Sequence, residues 1–271
     1  MGRFTIGSLE SVLKTNWVDL FPVARSLGFD CVELGVRGDD YLWTELWTAE
    51  GLRALKDRSE QAHIPIASIC LHTFWKYTFA NGNVSHRTTA KQIAFKAYDA
   101  CRELGAGVIL VPLTNPLKLP PEQAAQRWSS ETRAIADGAG KAGVKIALEV
   151  VGGSHVITGN EVMELLDAID HPSVGVYFDF GNAMSLGSDP VKDIGILGDR
   201  IFQVHVKDPK KDRTPCYLGE GDVNLSGCLK ALIEIDYVGP LVFETPPLSH
   251  ARDTAERNLK TLRGLIEETG A

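Results

Sequence analysis

The chain has 271 residues, 44% of them apolar, enough to bury a full core as one large domain or two small ones. Its formal net charge of −7 argues against the broad basic face of a nucleic-acid surface, and its five scattered cysteines contain no CxxC pair that would point to a disulfide framework or a thiolate zinc site. No run of about 18 apolar residues offers a membrane span and MGRFTIGSLE lacks an apolar leader region, so a soluble cytoplasmic protein without nucleic-acid or membrane partners is expected.

In chain order, β-branched apolar runs alternate with segments of helical period. Strands are expected at FTIGS (4–8), CVELGV (31–36), IASICLH (66–72), GVILVPL (107–113), KIALEVV (145–151), VGVYFDF (174–180), IFQVHVKD (201–208) and PLVFET (240–245). Helices are expected at 16–27, 48–62, 86–104, 121–142, 158–169, 189–198, 225–235 and 252–268, so that a helix follows every strand. Gly28, Gly105 and Gly143 sit where helices should close, and Pro121 suits the first turn of its helix. The strands read as nearly continuous apolar runs, as when both faces are covered. No Pro/Ser-rich linker interrupts the alternation, and no GxGxxG or GxxxxGK[ST] loop follows any strand. These features predict an α/β chain folded as a (β/α)8 TIM barrel, a single domain over residues 1–271, in preference to a doubly wound sheet.

Barrel enzymes place their chemistry at the C-terminal ends of the strands. Strand five ends at Glu149 in ALEVV, strand six at Asp179 in VYFDFGN, strand seven at His205 in VHVKD and strand eight at Glu244 in VFETP. Singly, each carboxylate could cap a helix or pair with a buried arginine, and the histidine could be a core or rim residue. Together they are harder to explain that way, because three carboxylates converging on one barrel mouth repel one another unless a cation joins them. Three oxygen donors and one imidazole, without a thiolate, favour one divalent ion, Mn2+ first, with Mg2+, Co2+ and Zn2+ compatible. Such an ion can grip adjacent oxygens of a polyol and polarise a carbonyl.

The ends ALEVV, FDFGNA, VHVKD with the later LGEGDVN, and VFETP resemble those of the xylose isomerase-like (AP endonuclease family 2) TIM barrels, which include sugar isomerases, tagatose/psicose 3-epimerases and inosose dehydratases. The resemblance covers nearly the whole chain. It implies that Glu149, Asp179, His205 and Glu244 hold the metal and that Glu149 and Glu244 also move protons. It implies a sugar or polyol substrate, Glu33 at the end of strand two touching a substrate hydroxyl, and association into homodimers or homotetramers. Three positions depart from the ketohexose 3-epimerase pattern: Asn182 replaces a histidine, His155 replaces a glutamate, and Lys211, with Arg213 just beyond, replaces an arginine.

With Lys207, these last residues make the basic run KDPKKDR, readable either as a solvated loop or as a grip on a phosphate or carboxylate. His72 ends strand three as either a pocket or a rim residue. Trp43, Trp47, Phe74 and Trp75 could wall a sugar or pack the barrel lip. The leading expectation is a metal-dependent sugar or sugar phosphate isomerase/epimerase working by α-proton transfer through an enediolate. The alternative is a lyase dehydrating a keto-sugar or inosose at the same site, with His155 or Lys207 protonating the leaving group. An endonuclease IV-like phosphodiesterase would need more histidine ligands, and a non-catalytic binding barrel is the remaining class.

Overall fold

The computed structural model describes residues 3–270. Eight parallel strands lie side by side in chain order, β1 (Ile6–Leu9), β2 (Cys31–Gly35), β3 (Ile66–Cys70), β4 (Val108–Pro112), β5 (Lys145–Glu149), β6 (Val174–Asp179), β7 (Ile201–Val206) and β8 (Leu241–Phe243). Ile6 pairs with Leu241, which joins β8 back to β1 and closes the barrel. The fold is therefore the expected single-domain (β/α)8 barrel.

Around it run α1 (Glu10–Leu13), α2 (Trp17–Leu27), α3 (Ala49–Ala62), α4 (Val84–Leu104), α5 (Pro121–Ala142), α6 (Gly159–Ile169), α7 (Phe180–Ser185), α8 (Pro190–Leu197), α9 (Leu225–Glu234) and α10 (Ala251–Thr269). Local chemistry sets these boundaries. Gly28, Gly105 and Gly143 close α2, α4 and α5 with φ of 89°, 73° and 70°, in the left-handed region where glycine carries no Cβ penalty. Thr158 and Glu161 form a reciprocal capping box at the start of α6. The α4 helix starts at Val84, ahead of the expected 86, because the Asn83 side chain accepts the Ser85 N–H at 2.9 Å and caps it there.

Two helices, α1 and α7, are absent from the expectation, since four and six residues are too few to show a helical period. Both follow directly on strands, β1 and β6, and so lie at the barrel mouth.

The layer between barrel and helices is closed by large side chains. Trp128 of α5 is fully buried against Phe74 and Phe79, and its Nε1–H donates to the Thr114 carbonyl at 3.2 Å. Phe74, read from the sequence as a mouth aromatic, belongs to this layer, whereas Trp43 is 73% exposed and Trp75 51% exposed. All five cysteines are free. Among the described residues no helix is long and apolar enough to cross a membrane.

Candidate metal centre

The strand period of two directs alternate side chains into the barrel. On β6 these include Tyr177 and Asp179, on β7 Gln203 and His205, with Tyr177 paired to Gln203 and Asp179 to His205 across the register. Glu149 is the last residue of β5. Glu244 follows β8 directly, its backbone N–H still donating to the Val206 carbonyl at 3.3 Å. One donor atom from each of Glu149, Asp179, His205 and Glu244 lies within 4.8 Å of the others. The first three are buried and Glu244 is partly open to the mouth. No other such group of His, Cys, Asp or Glu occurs among the described residues.

A second layer of polar groups fixes the histidine. His205 Nε2 lies 2.9 Å from Glu33 Oε1, and a carboxylate oxygen can only accept, so Nε2 carries the proton. Nδ1 is turned to the cluster, 3.1 Å from Glu149 Oε1, 3.8 Å from Asp179 Oδ2 and 3.7 Å from Glu244 Oε2; without a metal its N–H also meets a carboxylate, and a metal there would replace that proton while Glu33 keeps the one on Nε2. Glu33 is fully buried, and its other oxygen accepts from Ser68 Oγ at 2.5 Å and Tyr177 OH at 2.8 Å. Gln203 Nε2 donates to both of those hydroxyls, at 2.7 and 2.9 Å, which leaves their protons to point at Glu33. Glu33, expected to meet a substrate hydroxyl, is in this structure turned to the chain's own donors. Both its oxygens are engaged beneath the site, where a carboxylate orients a ligating imidazole.

The donor set fits a cation. Asp179 Oδ1 accepts the Asn182 N–H at 2.6 Å and caps α7, while Oδ2 is buried and accepts no hydrogen bond, with the Lys207 ammonium 3.0 Å away as its ion-pair partner. Burial alone would strip charge from His205, yet the Glu33 and Glu244 carboxylates hold its proton affinity well above the usual imidazole range. Burial, then the charge of Glu244, push the Glu149 carboxyl above the ordinary range. At Glu244 burial acts the same way but is overruled by Lys207 and His205, which hold its carboxyl down. Four carboxylates, Glu33, Glu149, Asp179 and Glu244, thus surround one imidazole and one ammonium in a largely buried site. A divalent ion ligated by Glu149, Asp179, His205 Nδ1 and Glu244 answers that excess of negative charge.

A cavity of about 490 Å3 opens from Glu244 toward the loop between β7 and α9. Its wall includes Asn182, Lys207 and Arg213 among the residues expected at the site, whereas Lys211 is exposed and outside it. Asn182 donates from Nδ2 to Glu149 Oε1 at 3.4 Å and to the Val150 carbonyl at 3.0 Å, so it steadies the glutamate as well as facing the cavity. Lys207, read from the sequence as part of a free basic run, is instead engaged by Asp179 and Glu244.

His72 and His155 do not line this cavity. Burial lowers each to about 4, so both are neutral at pH 7. The loop itself is organised by Asp208, which is buried and accepts the N–H groups of Gly219, Gly221 and Val223 at 2.8–3.0 Å. Gly221 is required there, because a Cβ would lie 2.0 Å from Asp208 Oδ1.

Sequence reading from strand ends alone passed over Ser68, Tyr177 and Gln203. A signal was present: Tyr177 and Gln203 each precede a strand-end ligand by two and therefore point the same way, and both carry polar atoms in otherwise apolar strands.

A model of the xylose isomerase-like TIM barrel family matches residues 21–265. Among curated proteins, L-ribulose-5-phosphate 3-epimerase UlaE of Salmonella paratyphi A is 24% identical over 249 residues, covering 89% of this chain and 87% of that one. A 3-dehydroshikimate dehydratase of Pseudomonas putida is 29% identical over 190 residues, 65% of this chain and 30% of that protein. Among solved structures, D-allulose 3-epimerase from Methylomonas sp. matches 98% of this chain and 99% of its own, with a TM-score of 0.80 at 22% identity.

Proposed function

The chain belongs to the xylose isomerase-like TIM barrel family, and on that premise we propose that it is a divalent-metal-dependent sugar or sugar phosphate isomerase/epimerase that transfers a proton α to a carbonyl. The observation that carries this reading is the convergence of Glu149, Asp179, His205 and Glu244 at one barrel mouth, with donor atoms within 4.8 Å. Two relatives named as 3-epimerases, one for a sugar phosphate and one for D-allulose, support it.

A bound divalent ion, Mn2+ in the first instance, supplies electrophilic stabilisation of the negative charge that develops on the substrate's oxygens. The rest falls to the chain. Glu149 and Glu244 enter from β5 and from the end of β8, three strands apart, so they approach a substrate in the mouth from different sides. Two carboxyls separated in this way suit a pair in which one removes the α proton and the other returns one. Asn182 steadies Glu149, and the Lys207 ammonium balances Asp179 and Glu244.

The test is to strip the protein with chelator, reload it with Mn2+ or Co2+, and follow solvent deuterium entering the α carbon of ketoses, aldoses, their phosphates and inososes. Exchange is expected only in the reloaded protein. Reloaded protein that exchanges no α proton in any of these compounds overturns the reading. The dehydratase relative favours one second reading, a lyase that uses the same carboxylates to remove the proton and expels a β-hydroxyl. A growing enone absorbance, or loss of water by mass, would move the assignment there. An endonuclease IV-like site fits poorly, since His205 is the sole histidine in the one ligand cluster among the described residues.

A further inference from the structure

The run 207-KDPKKDR-213 reads as one basic patch in the sequence, but the structure separates its members. Lys207 is taken up by Asp179 and Glu244. Lys210 Nζ faces Asp222 Oδ1 at 3.7 Å. The backbone N–H of Lys211 donates to Asp222 Oδ2 at 2.8 Å while its side chain stays exposed. Arg213 is exposed as well, but it lines the same cavity as Glu244, and its guanidinium meets no carboxylate among the described residues.

The loop backbone holds it there. The backbone of Arg213 has φ of +70°, a conformation that residues with a side chain adopt rarely, and a tight turn maintains it. In that turn its N–H donates to the Lys210 carbonyl at 2.8 Å and the Lys210 N–H to the Thr214 carbonyl at 2.9 Å. Gly152, just past β5, lies beside the guanidinium, where a Cβ would meet Nη1 in ordinary van der Waals contact at 3.7 Å. Asp208, the carboxylate nearest in sequence on the cavity wall, is occupied by three backbone N–H groups and does not answer the arginine's charge.

A guanidinium offers paired N–H donors that match two oxygens of a phosphate or a carboxylate. We propose that Arg213 and the cavity wall beside it form a subsite for a terminal anionic group of the substrate, phosphate or carboxylate, while the other end of the same molecule reaches the Glu149–Glu244 pair. The substrate class becomes an acidic sugar: a sugar phosphate or a sugar acid. This rests on the proposed function for the identity of the ligand as substrate, but the anion site itself can be tested separately.

Titrate inorganic phosphate and acetate by calorimetry into the wild type, metal-free and Mg2+-loaded, and into the Arg213→Gln and Arg213→Lys variants. One saturable anion site is expected in the wild type. Arg213→Gln should weaken it about tenfold or more, as loss of a charge-assisted bidentate contact does. Arg213→Lys should retain part of the affinity. The affinity should be the same with and without Mg2+. Phosphate favoured over acetate selects a sugar phosphate, and the reverse a sugar acid. Binding equal in wild type and Arg213→Gln, binding that requires Mg2+, or no saturable binding of either anion overturns the proposal. Anion binding intact in a protein that never exchanges an α proton would count against the proposed function alone.

Discussion

Glu244→Gln should abolish α-proton exchange and weaken Mn2+ binding while leaving the barrel folded. The carboxylate is assigned two tasks, metal ligation and proton transfer, and the amide performs neither well. Removing a general acid–base group typically costs about 10²–10⁴-fold in rate, and the loss of a ligand adds to this. For the metal, replacing an anionic oxygen with a neutral one should reduce affinity by roughly tenfold to a hundredfold or more, since outer-shell changes alone reach that size. The fold should survive because Glu244 lies beyond the end of β8, 25% exposed at its side chain, and contributes nothing to the apolar layers. Its other partner, Lys207, keeps Asp179 at 3.0 Å. Equilibrium dialysis, deuterium exchange and a circular-dichroism melt measure the three effects separately. Full exchange activity in Glu244→Gln would show that the site is wrongly assigned.

Glu33→Gln is expected to lower metal affinity by about 10–100-fold without touching a ligand. The reason lies in the proton inventory of the buried network. Glu33 accepts from His205 Nε2, Ser68 and Tyr177 at once, which an amide cannot do. If the amide nitrogen faces His205, Nε2 must become the acceptor and the proton moves to Nδ1, the atom that should bind the metal. If the amide oxygen faces His205, its NH2 group meets two hydroxyls that already accept from Gln203. Either arrangement leaves a buried donor unsatisfied, at a cost of about 1–3 kcal/mol. Calorimetric titration with Mn2+, together with thermal melts of the metal-free protein, checks both. An unchanged metal affinity would mean that Glu33 does not set the tautomer of His205.

Much of this architecture was legible because the two signals behind it are local. Continuous apolar runs such as GVILVPL mark strands covered on both faces, and Gly28, Gly105 and Gly143 mark where helices must stop. The four candidate ligands stood out because a charged or imidazole group ending an apolar strand needs a reason, and the barrel supplies a common place for all four ends. What the strand-end reading missed depends on contacts between distant parts of the chain. Glu33 looks like any strand-end carboxylate, and only its burial against Ser68, Tyr177 and His205 shows that it works from below. The basic run KDPKKDR likewise could not reveal that Lys207 turns to the carboxylates, Lys211 to solvent and Arg213 to the cavity. Sequence spacing along an irregular loop has no period to read, and α1 and α7 escaped for the related reason that a single turn has none either.

The central claim is that four side chains on consecutive strands hold one divalent ion. Anomalous diffraction at the manganese edge, from crystals of the wild-type chain soaked in Mn2+, tests it most directly. One strong peak is predicted within bonding distance of Glu149, Asp179, Glu244 and the Nδ1 atom of His205, with Nε2 still bonded to Glu33. A peak elsewhere, or none at this mouth, would contradict the account.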